Sequence, residues 1–117
     1  MITIVVKPIQ LEPTEEDGFR VFADRNLPSG MTEQQAKLDL WQGSLAPSPR
    51  LHKWYRGNSD KWDEFLGQYF VELDENGFAV TELFQKVRGE RLTLLYSGGN
   101  DRYNTAVALK IYLEGND

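Results

Sequence analysis

Three features predict a small α/β domain built on a mostly parallel central sheet of about three strands, flanked by about five helices in a Rossmann-like three-layer arrangement. Short apolar runs rich in β-branched or aromatic residues stand at residues 2–6, 19–24 and 92–96. Between the second and third lie helical stripes long enough for a crossover, which permits parallel pairing. The third run is nearly continuous in apolar residues, the pattern of a strand covered on both faces. Neither a linker nor an internal repeat interrupts the 117 residues, so 1–117 is expected to be a single domain.

Taken in order, Ile2, Ile4, Val5 and Val6 favour an extended backbone that Lys7-Pro8 should stop. Residues 10–17 hold Pro13 and the acids Glu15, Glu16 and Asp17, and are expected to form a solvated connection. The second strand follows from Phe19 and runs into Asp24-Arg25 and a Pro28/Gly30 loop. Thr32-Glu33-Gln34-Gln35 has the form of a capping box, so a helix is predicted from Glu33 to about Trp41. At Ser48-Pro49, serine is an N-cap and proline takes the first helical position, starting a short helix through Leu51, Trp54 and Tyr55 to Gly57.

From Asp60 to about Leu73, apolar side chains at Trp62, Phe65, Leu66, Tyr69, Phe70 and Leu73 make the stripe of a core-facing helix. Asp74-Glu75-Asn76-Gly77 breaks that pattern. Val80, Leu83, Phe84 and Val87 then rebuild a helical face that Gly89 should close as a C′ residue. After the third strand, Ala106, Val107, Leu109, Ile111, Tyr112 and Leu113 predict a well-buried helix over residues 104–114, with Gly115 as its terminator.

Cysteine is absent, which excludes disulfides, thiol nucleophiles and thiolate metal sites and fits a cytoplasmic protein. No metal site and no cofactor are predicted. The N-terminal apolar run is far shorter than a signal-peptide core or the ~20 residues of a membrane span, so no membrane association is expected. A net charge of −5 argues against duplex nucleic acid as a partner, because phosphate neutralisation needs clustered Lys and Arg. Monomer and symmetric dimer are equally compatible with this composition.

Ligands of α/β sheets sit beyond the carboxyl ends of parallel strands, which directs attention to the loops after residues 24 and 96. The first offers Asp24, Arg25 and Ser29, with Asp24 as a base or hydroxyl acceptor and Arg25 as an anion grip, or else with either as a structural brace for loop N–H groups or a neighbouring carboxylate. In the second, Ser97, Gly98, Gly99 and Asn100 either let backbone N–H groups approach an anion or form an ordinary turn and helix cap, and Asn104 either caps the next helix or points into the crevice. The expected ligand is a small anionic or nucleotide-like metabolite. A different class of function is a noncatalytic interaction module, in which Arg50, Lys53, Tyr55 and Arg56 of the short helix meet an acidic partner. His52, the sole histidine, falls in that basic cluster and reads as part of a solvated face.

Nearly the whole chain resembles a bacterial family, the domain of unknown function family 488 in its short YeaO-like form. The resemblance rests on Gly18-Phe19-Arg20-Val21, Asp24-Arg25, Pro28 and Gly30, then Leu40-Trp41 and Leu45-Ala46-Pro47-Ser48. It continues through Leu51, Lys53-Trp54-Tyr55, Thr93-Leu94-Leu95-Tyr96, Asn104 and Ala106-Val107. It implies a small cytoplasmic α/β protein with no assigned activity. Asn26, Leu27 and Ser29 stand where the family's first loop usually reads Leu, Trp and Arg, and Asn100 and Tyr103 replace an acid and a histidine common in the second. Longer relatives resemble one another in a Cys-His-Arg run near that loop, where this chain has Asp101, Arg102 and Tyr103 and offers no thiol.

Overall fold

β-Branched and aromatic residues give the chain its strands, and in the computed structural model, which describes residues 2–98 and 100–115, these are all parallel. β1 (Thr3–Pro8), β2 (Phe19–Phe22), β3 (Leu40–Trp41) and β4 (Arg91–Tyr96) form one sheet in the order β1-β4-β2-β3. β4 is the central strand, paired with β1 from Thr3↔Arg91 to Pro8↔Tyr96 and with β2 from Phe19↔Leu92 to Phe22↔Leu95. Among the described residues there are five α-helices: α1 (Glu33–Ala36), α2 (Pro49–Arg56), α3 (Trp62–Glu75), α4 (Gly77–Lys86) and α5 (Thr105–Gly115).

Side chains alternate across the sheet, as the period of a strand requires. Ile4, Val21, Leu92, Leu94 and Tyr96 join the larger core, with Leu51 of α2, Phe65, Tyr69 and Leu73 of α3, Ala79, Val80 and Leu83 of α4, and Leu109 and Leu113 of α5. Phe22 and Leu95 point to the other face and pack with Ile9 and Ala36, flanked by Leu27, Met31 and Leu38. The three layers are therefore unequal, four helices on one face and the single turn of α1 with its loops on the other. No helix among the described residues is long and apolar enough to cross a membrane.

The second face also carries the buried charges. Asp17 and Arg20 are only 7% and 3% exposed, and their side chains form an ion pair. Lys7 adds a second cation, its Nζ 3.0 Å from both carboxylate oxygens of Asp17. Thr14 donates its backbone N–H and its hydroxyl to the same carboxylate, at 3.0 and 3.1 Å. Asp17 is thus the exception in a run expected to be solvated: Glu15 and Glu16 are exposed, but Asp17 closes a 3-10 turn and turns inward between two cations.

Arg20 also accounts for a second departure, since the helix expected to reach Trp41 stops at Ala36. The Thr32 capping box forms as predicted, with Gln35 N–H donating to Oγ1 at 3.1 Å and Thr32 N–H donating to Gln35 Oε1 at 2.9 Å. At the other end, Arg20 donates from Nε and Nη2 to the Ala36 carbonyl, at 3.1 and 2.6 Å, and from Nε to the Lys37 carbonyl at 3.2 Å. Helix-end carbonyls lack intrahelical partners, and here a buried guanidinium supplies them. Lys37 takes a left-handed φ of 48°, Asp39 N–H donates to the Arg20 carbonyl, and Leu40–Trp41 enters the sheet as a fourth strand. Smaller shifts occur elsewhere: β1 continues through Pro8, β2 ends at Phe22, and Gly89 lies two residues beyond the extended cap Val87 of α4.

Two predictions follow from this packing. Asp17→Asn leaves the buried Arg20 and the half-buried Lys7 without their anion and should cost about 3–5 kcal/mol at pH 7. Burial alone raises the Asp17 carboxyl, but the Thr14 N–H, Lys7, Arg20 and the Thr14 hydroxyl outweigh it and hold the pKa at about 2 against an ordinary 3.8. A depressed carboxyl stabilises the fold above its ordinary pKa and loses that contribution as pH falls toward the folded value. The stability gap between parent and Asp17→Asn should therefore narrow by about 2 kcal/mol from pH 5 to pH 2 in urea titrations, and a constant gap contradicts the pairing. Gly18 has φ 66°, and a Cβ there would lie 2.5 Å from the Arg91 carbonyl oxygen. Gly18→Ala should lower stability by about 1–3 kcal/mol, read from the same titrations.

Candidate functional site

Neighbouring strands β2 and β4 send the chain to opposite faces of the sheet, β2 toward α1 and β4 toward α5. Their carboxyl ends are thus a topological switch point, where the departing connections leave a crevice. A cavity of about 240 Å³ lies there. The end of β2 contributes Phe22, Ala23 and Asp24; β4 and its loop contribute Leu94, Tyr96, Ser97, Gly98 and Asn100. His52, Tyr55 and Arg56 enter from α2, and Tyr103, Asn104, Ala106 and Leu109 from the start of α5.

Local hydrogen bonding sets the second loop. Asn100 Oδ1 accepts from the N–H groups of Arg102 and Tyr103 at 2.9 and 3.0 Å, a side-chain turn that folds the loop back. Asn104 Nδ2 donates to the Asn100 carbonyl, while its Oδ1 accepts from Val107 N–H at 2.9 Å. Asn104 therefore caps α5 and lines the cavity at once, which joins the two roles that the sequence left open. Gly98, with φ 116°, makes the turn out of β4 in a conformation that other residues rarely adopt.

On the opposite wall, α2 is held by its cap. Ser48 Oγ accepts from Leu51 N–H at 3.1 Å, and Glu72 of α3 accepts from both the Ser48 N–H and hydroxyl, at 2.8 and 2.6 Å. Tyr55 stacks on Phe65 with ring centroids 4.3 Å apart, and Tyr103 tilts onto Trp62 at 5.3 Å. Burial first, and then the neighbouring Tyr103 phenol, push the Tyr55 pKa above its ordinary 10.0, so Tyr55 faces the site as a neutral hydroxyl at physiological pH. Asp24 Oδ1 accepts from Arg25 N–H at 2.7 Å, and the Asp24 carbonyl accepts from Trp41 Nε1 at 2.7 Å.

Of the residues named from sequence, Asp24, Ser97, Gly98, Asn100 and Asn104 meet at this cavity. Arg25 and Ser29 do not line it. The Arg25 guanidinium turns away and donates to the Pro47 carbonyl beside Ser48 and Glu72, where it braces the loop that leads into α2. Ser29 is exposed in the outer loop, and Gly99 lies outside the described residues. His52, Tyr55, Arg56 and Tyr103 are additions. The first three have i, i+3, i+4 spacing, which puts them on one helical face, and that pattern was the available signal.

The lining can do definite chemistry. Arg56 and His52 supply side-chain donors, and α5 directs its positive dipole end at the cavity, all of which suits an anion. Asp24 has a second carboxylate oxygen with no protein donor among the described residues, suited to a ligand hydroxyl or amine. Among the described residues no group of three or more His, Asp or Glu side chains is placed to hold a metal ion.

A family model described as DUF488-N3i, the inactive DUF488-N3 subclade, matches residues 3–116. The uncharacterized protein YeaO of Escherichia coli (strain K12) is 33% identical over 103 residues, covering 87% of this chain and 90% of that protein. Uncharacterized proteins of Mycobacterium bovis and Mycobacterium tuberculosis are each 35% identical over 68 residues, 58% of this chain and 57% of theirs. No solved structure matches. A model that spans all but the ends of the chain, together with a full-length relative, shows that this protein belongs to the DUF488-N3i family.

Proposed function

We propose that the protein binds a small anionic metabolite in the crevice between β2 and β4 and holds it without transforming it. The observation that carries this function is the cavity itself: it sits at the switch point, and Arg56, His52, Asp24 and Ser97 converge on it from three separate segments. In this arrangement Arg56 and His52 grip the charge, Asp24 and Asn104 select hydroxyl or amino groups, and the apolar floor excludes water. The matching subclade is described as inactive, which supports binding over turnover. The sequence offers no thiol, and Ser97 and His52 stand on different walls of the cavity with no hydrogen bond between them.

The alternative, a protein-interaction module on the basic face of α2, draws less support. Its Tyr55 and Arg56 line the cavity and serve the metabolite site instead. Arg50 and Lys53 are the exposed cations that remain for such a partner.

Thermal-shift titration with inorganic phosphate, ribose 5-phosphate, AMP and benzoate tests the binding function. A ligand at 100 times its dissociation constant stabilises the native state by about 2.7 kcal/mol, a Tm rise of several degrees for a domain of this size. Arg56→Ala should lose most of that rise with its own unliganded Tm unchanged. Arg25→Ala should keep the rise but lower the unliganded stability by about 1 kcal/mol, because it removes only the brace on Pro47. A flat response to every compound contradicts metabolite binding, and a full response in Arg56→Ala moves the site elsewhere.

A further inference from the structure

The body of the ligand is specified by the aromatic wall of the cavity rather than by its charged rim. Leu94, Ala106 and Leu109 lie almost fully buried behind the cavity, and the rings within reach of a ligand are those of Tyr55 and Tyr103. His52, Arg56 and Asn100 are exposed and stand at its mouth. A polyol pressed against those rings would leave hydroxyls without partners, which is costly. A flat apolar ring in the same place gains free energy for each Å² it removes from water.

The tyrosines complete the fit. Tyr55 and Tyr103 both line the cavity, and each has a neighbouring ring already packed against it, Phe65 behind Tyr55 and Trp62 beside Tyr103. Aromatic surfaces held in this way accept a further ring by offset or edge contact. Tyr103 is still 45% exposed, so it retains surface for such a contact. The volume of about 240 Å³ is the room of roughly eight waters, below the ~300 Å³ at which drug-sized pockets begin.

We infer that the ligand is an aryl anion: a planar ring, carbocyclic or heterocyclic, seated against Tyr55 and Tyr103, with a carboxylate or phosphate held at the mouth by Arg56 and His52. This assignment rests on the metabolite site proposed above and narrows its chemistry. Free aromatic acids and nucleotides share that chemistry.

Matched pairs of probes separate the contributions. Titrations compare phenyl phosphate with inorganic phosphate, benzoate with acetate, and AMP with ribose 5-phosphate, each followed by the rise in Tm and by calorimetry. In at least one pair the ring-bearing member should bind at least tenfold more tightly than its ringless partner. Tyr103→Ala should erase most of that advantage, bringing the ratio of affinities within the pair toward one. A nucleotide source is indicated when AMP leads, and a free aromatic acid when phenyl phosphate or benzoate leads. Equal affinities within every pair overturn the ring assignment and leave the anion site standing, whereas silence from all six compounds overturns both. An undiminished ring advantage in Tyr103→Ala, with the variant folded by circular dichroism, overturns the placement of the ring.

Discussion

The ion pair of Asp17 and Arg20 ties together four segments that are distant in the sequence. Asp17 ends the 3-10 turn that leads into β2, and its carbonyl accepts from the Thr93 hydroxyl of β4 at 2.6 Å. Its carboxylate holds Lys7 from β1. Arg20, three residues on, takes the last carbonyls of α1, and its backbone N–H donates to Asp39 Oδ2 at 2.8 Å just before β3. A buried charge left without such partners costs several kcal/mol, so each segment is fixed by the need to satisfy the others. The cluster does for the thin face of the sheet what Leu, Phe and Tyr packing does for the thick one.

From that constraint the crevice follows. With α1 pinned to Arg20, the chain leaves β2 on the thin face, while β4 delivers the chain to α5 on the thick face. The two exits diverge, and the ends of β2 and β4 are left uncovered between them. The remaining wall is placed by a second set of bonds. Tyr69 donates to the Leu45 carbonyl at 2.6 Å, Asn76 to the Ser44 carbonyl at 2.8 Å, and Arg25 to the Pro47 carbonyl. Together with Glu72 on Ser48, they hold the loop before α2 and so aim His52 and Arg56 at the strand ends. Arg25, for which the sequence left both an anion grip and a bracing role open, braces this loop through the Pro47 carbonyl.

What the sequence revealed was local. Thr32 with Gln35, Ser48 with Pro49, and the stripe through Phe65, Tyr69 and Leu73 each show their structural role within a few residues, and each forms as its spacing implies. The end of α1 does not, because the group that ends it lies sixteen residues upstream and a capping box says nothing of where a helix stops. Trp41 fits a helical stripe equally well as an edge strand, and its indole N–H reaches Asp24 only because β3 runs beside β2. Glu15, Glu16 and Asp17 have the same local signature, and only the fold selects the third for burial. Similarly, Asp24 and Ser97 are recognisable as strand-end residues, whereas Tyr103 and the inner face of α2 join them through tertiary packing.

Mapping of amide shifts tests the location of the site most directly. The ¹H–¹⁵N spectrum of the protein, titrated with phenyl phosphate, should change first at Ala23 and Asp24, at His52, Tyr55 and Arg56, and from Ser97 through Ala106, with the strand interiors unmoved. Perturbations confined to the outward residues Arg50 and Lys53 would contradict a ligand seated between β2 and β4.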